Sequence, residues 1–504
     1  MARIAVIGAG MGALATAARL AVAGHRVVVF ERAETYGGAV AAVERDGFVF
    51  DTGPGLLLLP AVHRDLFLKT GKEPLESSVE LSQVEPAARH VFADGSEVSL
   101  PNASRAGVGE ALDAALGAGR GALWAAFMNR AREAWDRSRR PLLEEPLWPN
   151  WQVLADREPY PAVPHRRLLR KDRVATTLNE VAELELDGDP GLRALLEQYA
   201  VAWGLDPRTA PASAAVLPYL EQTFGVWAVR GGMRSLARAV YERCLARRVE
   251  FRFGAAVVRI VEKDGRAAGV ETAEGTVEEA DFVVAGIAPG PLAALLPGTD
   301  PRAGDGVAPQ SGMPSRLTVL LALRGARPEG TPHRTVVHAA DRDAELDAVF
   351  GTAPSLPERP TVTVLRPGDP AGVPDAEHEA VTLTATVPAH RAGSTGAGHD
   401  AVADRMIEAA GRAIPGLRER LLWREVRTPA DIEATTGAPG GAVPAPALAA
   451  AGGRLLHPSN STSLPGLFTV GGWSHPGGGL PHAGMSGALV AGLIVEGPEF
   501  RGSR

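Results

Sequence analysis

Two histidines, His475 and His482, flank the run Gly477-Gly478-Gly479 near the end of a 504-residue chain. An imidazole titrates near neutral pH, so either ring, facing a reacting group, could take or give a proton. The plainer reading is that His475 orders its loop through hydrogen bonds. Leu467, Phe468 and Val470 predict a strand entering this stretch, and the good helix formers that begin at Pro481 predict a helix leaving it. Between them Gly471, Gly472, Trp473 and Gly477 to Gly479 make a loop with one bulky side chain. Such a backbone can approach a large flat ligand, and the unpaired N–H groups at the helix start, where Gly479 and Leu480 lead into Pro481, would favour an electron-rich edge or an anion there. Metal chemistry is not expected, because no Cys/His cluster has zinc spacing.

What such a loop would hold is indicated by the first 31 residues. Ile4 to Ile7 predict a strand, Gly8-Ala9-Gly10-Met11-Gly12-Ala13 a turn, Leu14, Ala17, Ala18 and Leu20 a helix, and Val27 to Phe30 a second strand that ends at Glu31. Gly8 permits the tight turn and Gly10 lets backbone approach a pyrophosphate. Ala13 is small enough for helix-on-strand packing, and Glu31 can accept hydrogen bonds from a ribose. Strand, turn, helix, strand and terminal acid in that order predict a dinucleotide site.

Glu31-Arg32 leads to a second glycine pair, Gly37-Gly38, and then to Asp51-Thr52-Gly53-Pro54-Gly55. This series resembles the FAD-dependent amine oxidases and carotenoid desaturases, in which both glycine elements run along the flavin. That family usually has Arg after the pair. This chain has Ala39, so one charged contact is missing or comes from Arg32 or Arg45. With Arg230-Gly231-Gly232-Met233 added, the chain resembles the phytoene desaturase branch over most of its length. Its Gly471 to Pro481 run looks most like the 3,4-desaturases of hydroxylated carotenoids.

The resemblance implies an α/β fold in which a Rossmann-like FAD-binding domain is interleaved with an α+β substrate domain. The FAD-binding domain would comprise residues 1–100, 225–300 and 425–504, and the substrate domain, with a helical lid region, 101–224 and 301–424. It also implies non-covalent FAD, a hydride taken from a C–C bond of a lipophilic polyene, and backbone contact from Val257 to the adenine. Desaturation of such a substrate needs no conspicuous base. The same scaffold serves enzymes that tailor polyene tetramate macrolactams, which keeps a redox cyclase or desaturase of that kind open. An amine oxidase is disfavoured by the lack of any lysine after Lys263. A non-catalytic flavoprotein that escorts a lipid is a further alternative. No second dinucleotide fingerprint is present, so NAD(P)H could act only as a transient reductant.

Composition agrees with a globular protein of more than one domain: 45% of residues are hydrophobic and 22% charged. A net charge of −7 supplies no basic field for nucleic acid. The single Cys244, at helical spacing with Met233, Leu236, Ala237 and Val240, reads as a buried core thiol, and a reducing cytoplasm suits it. No leader peptide and no apolar run of membrane-spanning length are expected. Peripheral membrane contact could come from a basic amphipathic helix over residues 120–140, although an apolar face packed on its own domain is the favoured reading. Residues 141–164, rich in proline, predict a loop or lid hinge, and 393–398 a mobile surface loop. The oligomeric state leaves no mark in the sequence.

Overall fold

The computed structural model describes residues 1–147, 151–163, 172–296, 313–391 and 398–502. Its centre is a five-stranded parallel sheet ordered Glu250–Arg252, Arg26–Phe30, Arg3–Ile7, Phe282–Ala285 and Leu467–Thr469. The five strands come from three stretches of sequence, residues 3–30, 250–285 and 467–469, which is how an interleaved chain builds one domain. Both faces are covered, one by helices and the other by the three-stranded sheet Val257–Lys263, Arg266–Thr272 and Val277–Glu279 with the helix Pro289–Leu295, so the first two strands are continuous apolar runs with every residue after the first buried. On one face the first helix, Met11–Val22, packs between the helix Met233–Ala246 and the C-terminal helix Leu480–Glu496. Cys244 lies fully buried in that layer and burial pushes its thiol up to about 12, as expected of a core thiol.

The second large unit is a seven-stranded sheet in the order Leu421–Arg427, Ser315–Arg324, His378–Val387, Val362–Leu365, Arg334–Val337, Ala88–Val91 and Glu97–Leu100. One face is apolar and packs on the helix His399–Ala410 through Leu317, Val319, Leu383 and Met406. The alternation from Glu85 to Leu100 around Asp94-Gly95 predicts a hairpin that opens the substrate domain; the hairpin forms, and it pairs in this sheet through Val336 and His90. The boundary expected at residue 100 therefore falls too late. That expected at 425 cuts the edge strand Leu421–Arg427, which pairs with Ser315–Arg324 over Thr318↔Arg427 to Leu323↔Leu421.

The helical region forms its own core. Along the helix Arg120–Arg139, Trp124, Phe127, Ala131 and Ala134 are buried against Leu178, Val181 and Val216. Its apolar stripe is thus covered by protein and is not offered to a bilayer. Among the described residues no helix is long and apolar enough to cross a membrane. Within the proline-rich 141–164 stretch, Trp151–Asp156 is a helix, with Leu154 and Ala155 buried against Ala447 and Leu456. The surface loop expected at 393–398 lies, but for Gly398, outside the described residues.

Candidate active site

The turn after the first strand and the second glycine pair meet. Gly37 N–H donates to Ala9 O at 2.8 Å, Gly10 and Gly37 form a bridge, and a Cβ on Gly38 would lie 3.1 Å from Gly10 Cα. Gly8 adopts φ +91°, open to glycine at little cost, beside Gly286 O. Glu31 is fixed from two sides: Ala9 N–H donates to Oε2 at 2.7 Å and Ala33 N–H to Oε1 at 2.9 Å. Each carboxylate oxygen keeps a second lone pair for a hydroxyl. Gly254 and Ala255 N–H bind Ala33 O and Glu31 O, which brings the start of the Val257–Lys263 strand beside that acid.

The Asp51 to Gly55 turn closes the near side. Gly53 backs onto Ala39, whose carbonyl oxygen a Cβ there would meet at 2.3 Å, while Pro54 sits half-buried between Gly53 and Gly55. Asp51 accepts from Met233 N–H at 2.9 Å and Arg234 N–H at 3.3 Å, capping the helix Met233–Ala246. Burial, opposed by those two bonds and assisted by Asp369, pushes its carboxyl up to about 6.

Neither arginine expected to replace the one missing at Ala39 does so. Arg32 turns away to the carbonyls of Ala434 and Thr435, the negative end of the helix Pro429–Thr436. Arg45 lies over the Trp423 ring at 4.5 Å. The cation against the glycine pair is Arg234, which bonds Tyr36 O and Thr35 Oγ1 and stacks on the Tyr36 ring at 4.0 Å. Sequence gave a signal in its place directly after Gly231-Gly232-Met233, but contact across 194 or more positions left no local pattern.

The C-terminal loop differs in purpose from its sequence reading. Gly477 and Gly478 lie against the chain Pro444 to Pro446: Gly478 N–H donates to Ala445 O at 2.8 Å, and a Cβ on Gly478 would fall 1.7 Å from Pro444 O. Gly472 also meets Pro444. Glycine is required there because two backbones touch, not because a ligand approaches. The open positions are Gly471, with φ +96°, and Gly10, where an added Cβ would meet nothing within 4 Å. Leu480 and Pro481 are buried in the core, leaving the N–H groups of Leu480 and His482 unpaired at the helix start. Trp473 is half-buried in the preceding turn.

His475 is completely buried, with Nε2 at 2.9 Å from Glu145 O and Nδ1 without a partner. Burial pulls it down to about 3. This is the loop-ordering role. His482 sits at the mouth of the C-terminal helix, its Nδ1 sealed from solvent and unpartnered, 3.3 Å from where a Gly479 Cβ would point, and burial lowers it to about 4. The Trp203 ring closes on the same point at 2.9 Å.

A residue the sequence reading missed organises this loop. Asn460, buried, donates from Nδ2 to Thr469 O at 3.1 Å and His475 O at 2.8 Å, and Ser486 Oγ lies 3.1 Å away and accepts from Gly471 N–H. Asn460→Ala removes the donor from both carbonyls and is expected to cost about 1–3 kcal/mol of unfolding free energy. A denaturant titration against the parent protein measures that loss.

The two ends of the site are joined helix to helix. A Cβ on Gly12 would lie 2.9 Å from Gly471 Cα and 3.0 Å from Ala483 O, and Gly487 packs equally closely on Gly12 O. Both helices start without a side-chain cap or an acid in the first turn. Ser104, Thr177, Asp189, Asp341 and Thr428 cap other helices. Three bare N–H groups on Met11, Gly12 and Ala13 suit a pyrophosphate, Glu31 a ribose, and the second bare end an electron-rich ring edge. These residues fit a dinucleotide with a flat head, and the fold and site define a flavin-dependent oxidoreductase.

The family model described as flavin containing amine oxidoreductase matches residues 14–495. The chain is 31% identical to 4,4'-diapolycopene oxygenase of Methylomonas over 98% of both chains. To hydroxyneurosporene desaturase of Rhodobacter capsulatus it is 30% identical over 98% of this chain and 97% of the other. An oxidoreductase from Methanosarcina mazei shares the fold with a TM-score of 0.63 at 18% identity, covering 97% and 99% of the two chains. The chain belongs to the flavin containing amine oxidoreductase family, in its carotenoid desaturase branch.

Proposed function

We propose that the protein oxidises C–C bonds of a lipophilic polyene with non-covalently held FAD. The observation that carries this is the meeting of two uncapped helix N-termini across the Gly12–Gly471 contact, with Glu31 pre-oriented at one end and Trp203 and His482 at the other. Bound there, FAD would supply a hydride acceptor. In this reading Met11, Gly12 and Ala13 hold the pyrophosphate and Glu31 the ribose, with Val257 beside the adenine. Gly37, Gly38, Gly53, Pro54 and Gly55 form the near wall, with Arg234 in place of Arg32. The Leu480 and His482 N–H groups stabilise negative charge on the ring edge. Gly472, Trp473 and Gly479 shape the floor. His475 holds the floor in place, and Trp203 excludes water on the substrate side.

The polyene assignment is supported by the names of the relatives and by the absence of lysine after Lys263. Any nicotinamide cofactor acts as a passing reductant. Purified protein is expected to be yellow and to bleach anaerobically with an acyclic hydroxylated carotenoid. Colourless protein that does not take up added FAD overturns the flavin assignment, and flavin that no polyene bleaches overturns the substrate class.

A further inference from the structure

The inner face of the seven-stranded sheet is not the apolar wall that a hydrocarbon would select. Residues directly opposite in neighbouring antiparallel strands share a face. The register therefore aligns Arg427, Thr318, Thr384 and Thr363 in one row across four strands. Next to it run Glu425, Leu320, Thr382 and Leu365 on one side, so that the carboxylate at the edge strand faces Arg427, and Arg316 with Thr386 on the other, away from Glu425.

This row faces the proposed flavin domain. Below it, Phe48 and Phe50 pack on Leu320, and Gly55 abuts Leu365, whose Cδ1 a Cβ there would meet at 2.6 Å. Above it, Thr386 Oγ1 and Arg316 Nη2 donate to Val201 O at 2.9 Å and Ala202 O at 3.0 Å, the last carbonyls of the helix Pro190–Ala202. The next residue is Trp203, whose ring meets Gly479 beside His482 Nδ1. The row thus spans the gap between the two contacts that join the sheet to the site.

Its hydroxyls are not satisfied from within. Thr386 spends its hydroxyl on Val201 O, whereas Thr318, Thr363 and Thr384 have no hydrogen-bond partner among the described residues, and their oxygens are not among the solvent-sealed atoms. Thr363 and Thr384 are half-buried. Arg427 lies 3.8 Å from Glu425. Arg316 has no carboxylate partner among the described residues, and enclosure by protein holds its guanidinium below the ordinary arginine value. One of its five N–H groups is used on Ala202 O. His482 Nδ1, sealed and unpartnered, is a second polar group left open at the same end.

We propose that this face is a polar subsite in which Arg316 and the hydroxyls of Thr318, Thr363 and Thr384 hold an acidic oxygen group, a carboxylate or enolate, carried by the polyene. This rests on the polyene reading above and adds that the substrate is oxygenated and anionic at one end. Arg316, Thr363 and Thr384 are half-buried and Thr318 buried, and donors partly withdrawn from water discriminate against an analogue lacking the acceptor, which leaves them less well paired.

The test uses the purified holoprotein and three polyenes of equal length, ending in a carboxylate, its methyl ester or a methyl group. Binding is read from the shift of polyene absorbance, and anaerobic flavin reduction is followed separately. The carboxylate is expected to bind at least about tenfold more tightly than either analogue. Arg316→Gln should reduce that preference to below about threefold with flavin content retained, and Thr384→Val should reduce it by about threefold. Should Arg316→Gln fail to fold through loss of its bond to Ala202, Thr384→Val decides, since it removes a hydroxyl without a protein partner and keeps a β-branched side chain in its strand. Equal binding of the three compounds by the parent protein, or an undiminished preference in Thr384→Val, overturns the proposal. Selective carboxylate binding without flavin reduction overturns the oxidoreductase reading and leaves the subsite standing. Reduction by all three compounds alike does the reverse.

Discussion

Gly10→Val is expected to yield a folded protein that carries no flavin, whereas Gly12→Val is expected not to fold at all. The two residues are neighbours in one turn, and their surroundings are opposite. Gly10 has φ −72° and ψ 167°, a conformation open to any residue, and an added Cβ meets no atom within 4 Å. The valine methyls would occupy the space in front of the Met11, Gly12 and Ala13 N–H groups, where a pyrophosphate must come close. Replacing glycine by an apolar residue at the helix N-cap costs the fold only about 1 kcal/mol. At Gly12 the new side chain would enter the contact with Gly471 and Ala483 O, both backbone and unable to rotate aside. Overpacking of a helix crossing costs about 1–3 kcal/mol or more, and here the C-terminal helix must move as a unit. Soluble yield, far-UV circular dichroism and flavin absorbance per protein separate the outcomes. Gly10→Val protein that retains full flavin would remove the pyrophosphate from this turn.

That contrast also marks what the sequence could disclose. The strand, turn, helix and strand over residues 3–30 were legible because each depends on neighbours in sequence: glycine at the tight turn, apolar runs in strands buried on both faces, Gly24 after the helix. The hairpin at Asp94-Gly95 was legible for the same reason, but not the strand it pairs with, since its pairing with Arg334–Val337 is a contact between distant segments. Glycines announce a close approach without saying to what. Gly471 and Gly10 face open space, whereas Gly477 and Gly478 face Pro444 and Ala445, and all four look alike in sequence. Arg32 was expected at the site to make up for Ala39, yet its side chain turns to the carbonyls of Ala434 and Thr435, 402 and 403 positions away and invisible in the local sequence. Arg234 reaches the glycine pair from 194 positions away from Val40, and Asn460 binds a loop through an amide that no motif flags.

Acidification is expected to destabilise the protein well before its carboxylates as a class are protonated. His63, His338 and His482 are each held near 4 and His475 near 3, burial being the first cause in every case, and His90 is lowered further by burial, His338 and Arg334. Their unfolded value is about 6.5, so between about 6.5 and 4 the unfolded chain binds protons that the native protein refuses. Stability therefore falls as pH falls through that window, by roughly 3 kcal/mol for each fully buried ring. Asp51, raised by burial to about 6, and Glu158, raised by burial to about 7, act in the opposite sense. They bind protons in the native state first and lose that contribution as pH rises through those values. Glu345, also raised by burial, adds to them, and His333, held near 4 by burial, adds to the histidines; the lowered histidines still outnumber the raised carboxylates, and the denaturant midpoint is expected to drop steeply between about pH 6 and pH 4. The same low values bear on chemistry. A histidine held near 3 or 4 stays neutral through the physiological range, so the rate of anaerobic flavin reduction should show no inflection near 6.5 attributable to His475 or His482. An inflection there that vanishes in His482→Gln, with flavin content unchanged, would instead place a solvent-connected base at the mouth of the C-terminal helix. Its absence leaves the bare N–H groups and the fixed position of the ring as what the loop from Gly471 to His482 contributes.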